Sequence, residues 1–241
     1  MLTTRFHMAM PPKAAALAIA LLTVALPAHA ADLLTKAPPA PIPYSWTGAY
    51  VGANFGGAFN HEDVTTPIGL APTDPSGVLG GGQLGYNYQF STWLLGIEGE
   101  FDGTTAQGTT NFVDPVTSTA LAVTSDHRWY STVSGRLGYV MGSLMIFAKA
   151  GGAWMNADYQ FSVTNGGVTA ASSINSTRSG WNVGVGLEYL LSPRWSAKVE
   201  YDYLDFGSNT VGLVTPVGNG VTFKTQVNEV KVGLNYHFGG F

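Results

Sequence analysis

Seven carboxylates (Glu98, Glu100, Asp102, Glu188, Glu200, Asp202 and Glu229) and five cations (Arg128, Arg136, Lys149, Lys198 and Lys231) are the residues whose types and spacing could do chemistry. Several recur at every second position: 98, 100, 102; 198, 200, 202; 229, 231. A period of two puts side chains on one face of a β-strand, so these groups are expected to share a face. Opposite charges gathered there could line an ion path, or could neutralise one another as a network that fills an interior.

Catalysis has less to work with. Beyond the first thirty residues the only histidines are His61, His127 and His237. A lipid-modifying enzyme would need a hydroxyl nucleophile or a histidine base oriented by an acid. None of the three lies in such a motif; all read as solvated surface histidines, and the chain reads as a non-enzyme. His61, Glu62 and Asp63 are adjacent but do not make a closed metal-coordination set. With no cysteine there is no disulfide, thiol nucleophile or thiolate metal site. No catalytic, cofactor or metal residue is expected.

The elements that would position the charges begin after an export signal. Arg5 and Lys13, the apolar stretch Ala14 to Leu26, and Ala28-His29-Ala30 read as a cleavable signal peptide over 1–30. Residues 31–45, with Pro38, Pro39, Pro41 and Pro43, read as an extended periplasmic leader. Residues 46–241 read as one barrel domain. Without Arg5 and Lys13, nine basic residues face fifteen acidic ones, with no basic cluster, so nucleic acid is excluded as a partner. Charged residues are only 11% of the chain, too few to cover an ordinary soluble domain.

Eight segments alternate apolar and polar residues, beginning with Ala49, Val51, Ala53 and Phe55 against Tyr50 and Asn54, and ending with Val230, Val232, Leu234 and Tyr236 against Glu229, Lys231 and Asn235. In the fifth, Met145, Phe147 and Met155 share the Lys149 face, so its alternation is less clean. Short connections near Ser91, Gly142 and Pro193 alternate with long ones over 60–77, 103–126, 158–177 and 205–222. This is the pattern of an all-β, eight-stranded antiparallel transmembrane barrel with four long extracellular loops and short periplasmic turns. The loops, rich in Thr, Ser, Gly and Asn, read as mobile exposed segments.

Period two does not say which face is outside. The aromatic residues do: Tyr88, Phe90, Trp93, Tyr139, Tyr189, Trp195, Tyr236 and Phe238 gather near the short turns, and Trp129, Trp154, Trp181 and Tyr203 toward the long loops. Two such girdles belong at the two interfaces of a bilayer, with lipid outside and the charges inside. Slipping a strand by one residue would turn Arg136 or Lys149 into lipid, at about 2–4 kcal/mol each near the midplane. An eight-stranded barrel is just wide enough for side chains to fill, which favours the paired network over an ion path.

The wording of the chain resembles the alphaproteobacterial outer-membrane β-barrel surface proteins (porin-like, OmpA-type), the group that includes rhizobial and brucella-type proteins. The resemblance spans the mature chain and rests on Lys36-Ala37-Pro38-Pro39 leading to Trp46 to Gly52, Gly135 to Tyr139, Gly180 to Gly184, and Trp195 to Tyr201. It implies residence in the outer-membrane lipid and assembly by the barrel insertion machinery, which reads a terminal aromatic residue. Phe238 and Phe241 are the candidates, and strand spacing favours Phe238. The loops are expected to meet an extracellular ligand such as a host surface, a phage or haem; some relatives are associated with haemin, but no motif here carries that role. The functional reading is a structural surface barrel with a filled polar interior, with a small porin for ions or small solutes as the alternative.

Overall fold

A computed structural model describes residues 44–66, 69–114, 119–215 and 218–239. The signal peptide, almost all of the leader and Phe241 lie outside the described residues. Ten strands follow one another: β1 (Gly48–Thr66), β2 (Gly69–Thr73), β3 (Ser76–Phe90), β4 (Trp93–Thr104), β5 (Gln107–Asp114), β6 (Thr119–Met141), β7 (Leu144–Asn165), β8 (Val168–Ser192), β9 (Trp195–Thr215) and β10 (Gly218–His237). Every pairing is antiparallel. β1 pairs with both β3 and β10, which closes a ring of eight strands in the order β1, β3, β4, β6, β7, β8, β9, β10. Closure matters because hydrocarbon offers no partner to an open backbone edge.

Two-residue turns join the strands at one end, at 91–92, 142–143 and 193–194. Ser91 and Gly142 take φ of 59° and 64° there, as tight hairpins of matching twist require. Along β3 the inward positions Leu79, Gln83 and Asn87 are buried, while Val78, Leu84, Tyr86, Tyr88 and Phe90 are exposed. That exposed apolar band continues around the ring, through Ile97, Leu137, Val185, Val199 and Val232.

The opposite end differs from the expectation of mobile loops. Most of those residues are strand: β6, β7, β8 and β9 run on far beyond the outer aromatic girdle. Two short strands extend this region, β2 against β1 and β5 against β6. The outer part is therefore two four-stranded sheets, β2–β1–β10–β9 and β5–β6–β7–β8. They face each other across a buried apolar cluster that includes Val64, Phe112, Leu121, Phe161, Phe206 and Phe223. Threonine is a good strand residue, and serine beside it is carried into strand when neighbouring residues bury the other face, which a count of polar residues does not reveal.

Candidate functional site: the charged lumen

Period two delivers the acids and cations of β4, β6, β7, β8, β9 and β10 into the lumen, and the ring brings them together. Lys149 Nζ lies 2.6 Å from Glu100, 3.1 Å from Asp202 and 3.4 Å from both Glu98 and Glu200. Lys198 Nζ lies 3.0 Å from Glu100 and from Glu200. Lys231 Nζ lies 2.9 Å from Asp202, 3.2 Å from Glu229 and Glu100, and 3.5 Å from Asp102. β9 and β4 stand diametrically opposite on the ring, so the Lys198–Glu100 pair crosses the whole lumen.

Nearer the turns, Arg136 Nη2 donates to Glu188 at 2.5 Å and Nη1 to the Tyr50 hydroxyl at 3.1 Å, while Tyr50 donates to Glu98 at 2.7 Å. Glu188 also accepts from Ser196 and Asn235, at 2.5 and 2.7 Å. Ser196 shares a hydrogen bond of 2.8 Å with His237. A buried charge needs both a counter-charge and hydrogen bonds to offset its lost hydration; these contacts supply both for Glu188 and for the two terminal nitrogens of Arg136, while Arg136 Nε has no hydrogen-bond partner. None of the charged residues in this layer is more than 3% exposed.

Below this layer Trp46 closes the turn end, packed with Leu94, Val140, Met145, Phe147 and Leu190. Its backbone N–H donates to Gln89 at 2.8 Å, and its ring meets His237 edge-on. Arg136 lies over the Phe147 ring at 3.8 Å. Tyr44 packs beside Trp46, and burial, with the Glu188 charge adding to it, pushes its hydroxyl up to about 12. Sequence reasoning singled out neither Trp46 nor Phe147 as a plug; the signal available was the blurred alternation of β7 around Met145, Phe147 and Met155.

Oxygens of Glu98, Glu100 and Glu200 lie within 4.8 Å of one another, close enough to hold a cation. The ammonium groups of Lys149 and Lys198 reach all three of these acids, and Lys231 reaches Glu100 and Glu200, so the positive charge is already supplied by the chain.

Three sequence expectations need correction or relocation. Arg128 is not part of the lumen: its side chain is 59% exposed and pairs with Asp158 on the outer wall. The register of β6 against β7 shifts between His127 and Trp129, so Arg128 is the extra residue of a β-bulge. The bulge switches the inward parity from even positions to odd ones. Asp158, outside the girdle, has its carboxyl held below the usual range by the Asn175 amide and by Arg128.

The histidines are the second correction. His127 and His237 are buried rather than solvated, His127 sharing hydrogen bonds with Asn60 and Tyr130 at 2.6 and 2.8 Å. Only His61 stays at the surface, 2.8 Å from Asp74. The third is the loops, whose inner face carries a polar group within the apolar cluster: Glu62 accepts from Ser125, Thr225 and Tyr159 at 2.6, 2.8 and 3.3 Å.

The girdle residues all point outward. Trp93 and Tyr139, Trp195 and Tyr236, and Tyr236 and Phe238 form edge-to-face pairs with centroids 5.1–5.3 Å apart near the turns. Tyr88, Phe90 and Tyr189 are exposed on the same rim. Toward the outer end Trp181 lies 5.6 Å from Tyr203, Trp129 stacks on Phe101, and Trp154 is exposed. Phe238 follows the last residue of β10, and its N–H still donates to Ala49 at 2.9 Å.

The chain is similar to known outer-membrane proteins. The chain is 31% identical over 230 residues to the 31 kDa outer-membrane immunogenic protein of Brucella melitensis, covering 88% of this chain and 93% of the relative. It is 27% identical over 225 residues to the 25 kDa outer-membrane immunogenic protein of Brucella abortus, covering 91% and 94%. Among solved structures, the outer membrane protein OprG of Pseudomonas aeruginosa aligns over 79% of this chain and 97% of its own, with 12% identity and a TM-score of 0.47. The family model for the outer membrane protein beta-barrel domain matches residues 16–238, and the chain belongs to that family of outer-membrane barrels.

Proposed function

We propose that this outer-membrane barrel is a surface protein whose lumen is closed to solutes, and that its outer extension meets ligands outside the cell. One observation carries the reading: Lys198 and Glu100 bridge the full width of the ring at 3.0 Å, in a layer of paired side chains sealed below by Trp46. A water path would have to break several charge-assisted hydrogen bonds in a low-dielectric surround. The barrel acts without catalysis in this proposal; expression would leave the lipid A mass spectrum unchanged. Insertion into the membrane falls to the barrel assembly machinery, with Phe238 as the aromatic residue it reads.

The test is conductance of the refolded barrel in a planar bilayer. Silence is the expected result. Stepwise openings of the wild-type protein would overturn the closed lumen in favour of a small porin. Seven carboxylates against four cations in the lumen would make such openings cation-selective.

A further inference from the structure

Above the outer girdle the ring loses one of its seams. β8 pairs with β9 only from Ser192–Trp195 up to Trp181–Asp205. Beyond that point β8 still pairs with β7 as far as Val168, and β9 with β10 as far as Thr215. Among the described residues, residues 168–180 of β8 and 206–215 of β9 have no ladder partner on the sides that face each other.

The parting has a local cause. Asp205 Oδ1 accepts the N–H of Gly207 at 2.7 Å, Gly207 takes a φ of 63°, and the β9–β10 register gains one residue there. Such a bulge bends its strand, and it falls where the β8–β9 ladder ends.

Arg178 sits on β8 at this gap. Its side chain reaches past β9: Nη1 donates to Thr225 of β10 at 3.0 Å, and the guanidinium lies over the rings of Tyr159 and Phe223, 4.9 and 5.3 Å from their centroids. It is 4% exposed, yet Nε and Nη2 have no hydrogen-bond partner. Those two N–H groups point the same way along one side of the guanidinium, the fork that takes a carboxylate or phosphate in two parallel bonds. No carboxylate of a described residue lies within 4.0 Å of it, unlike every buried cation of the lumen. Glu62 is joined to it only indirectly, through the Thr225 hydroxyl and through Tyr159, whose ring lies under the guanidinium and whose hydroxyl donates to Glu62.

We propose that the seam between β8 and β9 is a binding site for an amphiphilic oxyanion, whose acid group pairs with the Arg178 fork while its apolar body lies on the Tyr159 and Phe223 rings. Parting β8 from β9 here breaks side-chain contacts but no backbone ladder. The seam opens directly above Trp181, and Arg178 lies three residues beyond it, about 10 Å along the strand from the outer interface, so an amphiphile in the outer leaflet can reach it. A carboxylate on an alkyl chain and a lipid-type phosphate share this chemistry. The proposal gives the outer extension a ligand and stands independently of whether the lumen conducts: conductance reads the Lys198 layer, and binding reads Arg178.

The test is calorimetric titration of the barrel in nanodiscs with octanoate, octyl phosphate, octyltrimethylammonium and inorganic phosphate. One saturable site for octanoate or octyl phosphate is expected, and the tighter of the two identifies the acid. Arg178→Lys keeps the charge but loses the fork, and should weaken binding at least tenfold while the barrel keeps its heat-modifiable migration on gels. Ser176→Trp, on the same face two residues away, should block binding with Arg178 intact. No saturable binding of either acid would overturn the proposal, as would equal binding of the ammonium amphiphile or indifference to both substitutions. Inorganic phosphate binding as tightly as octyl phosphate would remove the apolar part of the site.

Discussion

Arg136 and Arg178 are both buried guanidiniums lying against aromatic rings, yet one is held by Glu188, Glu98 and Tyr50, the other by a single threonine hydroxyl. The difference follows their level in the barrel. Arg136 lies within the bilayer, where an unpaired charge is costly and closure of the ladder is enforced by hydrocarbon. Arg178 lies outside the girdle, where the ladder is free to part and a charge can wait for a ligand. The two parts of one barrel therefore differ in one respect: each buried cation of the lower part has a carboxylate beside it, and Arg178 of the outer part has none.

Substitutions can break or sharpen that contrast. The largest effect is expected from Arg136→Ala, which strands Glu188 while Glu98 keeps Lys149 and Lys198: a loss of about 3–5 kcal/mol. Arg178→Ala strands no carboxylate in direct contact, and should cost only about 1 kcal/mol. Urea unfolding in lipid vesicles measures both; equal losses would erase the distinction between the two regions. Next comes the outer wall. Val185→Arg, facing lipid midway between Trp181 and Tyr189 of the two girdles, should cost about 2–4 kcal/mol. The same change at Ala170, on the exposed outer extension of β8, should leave the unfolding midpoint in place. A large loss at Ala170 would put that extension inside the membrane. The smallest effect belongs to Arg128→Ala: an exposed ion pair contributes little, so stability should not measurably change. A loss comparable to that of Arg136→Ala would restore Arg128 to the charged network.

What could be read beforehand depended on how local the governing physics is. The faces of β3, β4 and β8 to β10 follow from alternation alone, so the outward girdle and the inward acids Glu98, Glu100, Glu200 and Glu229 are visible residue by residue. Alternation fails at Arg128, because one inserted residue reverses the parity of everything beyond it. It also hides the outer extension, where small hydroxyl residues of β8 look like loop until β7 supplies a partner. Arg178 went unnoticed for the same reason: nothing in its neighbourhood of serines and threonines marks a buried cation. His127 and His237 read as surface groups because their burial depends on strands distant in the chain.

By itself, then, the order of residues determined which face of each strand meets hydrocarbon, because an apolar period of two and two aromatic rims leave one register affordable. Only the tertiary structure decided which charge meets which. Lys198 and Glu100 are 98 residues apart, and no rule of spacing brings them within 3.0 Å. Ring closure does, by setting β9 across from β4. The same closure, relaxed by one bulge at Gly207, decided that Arg178 has no acid of its own.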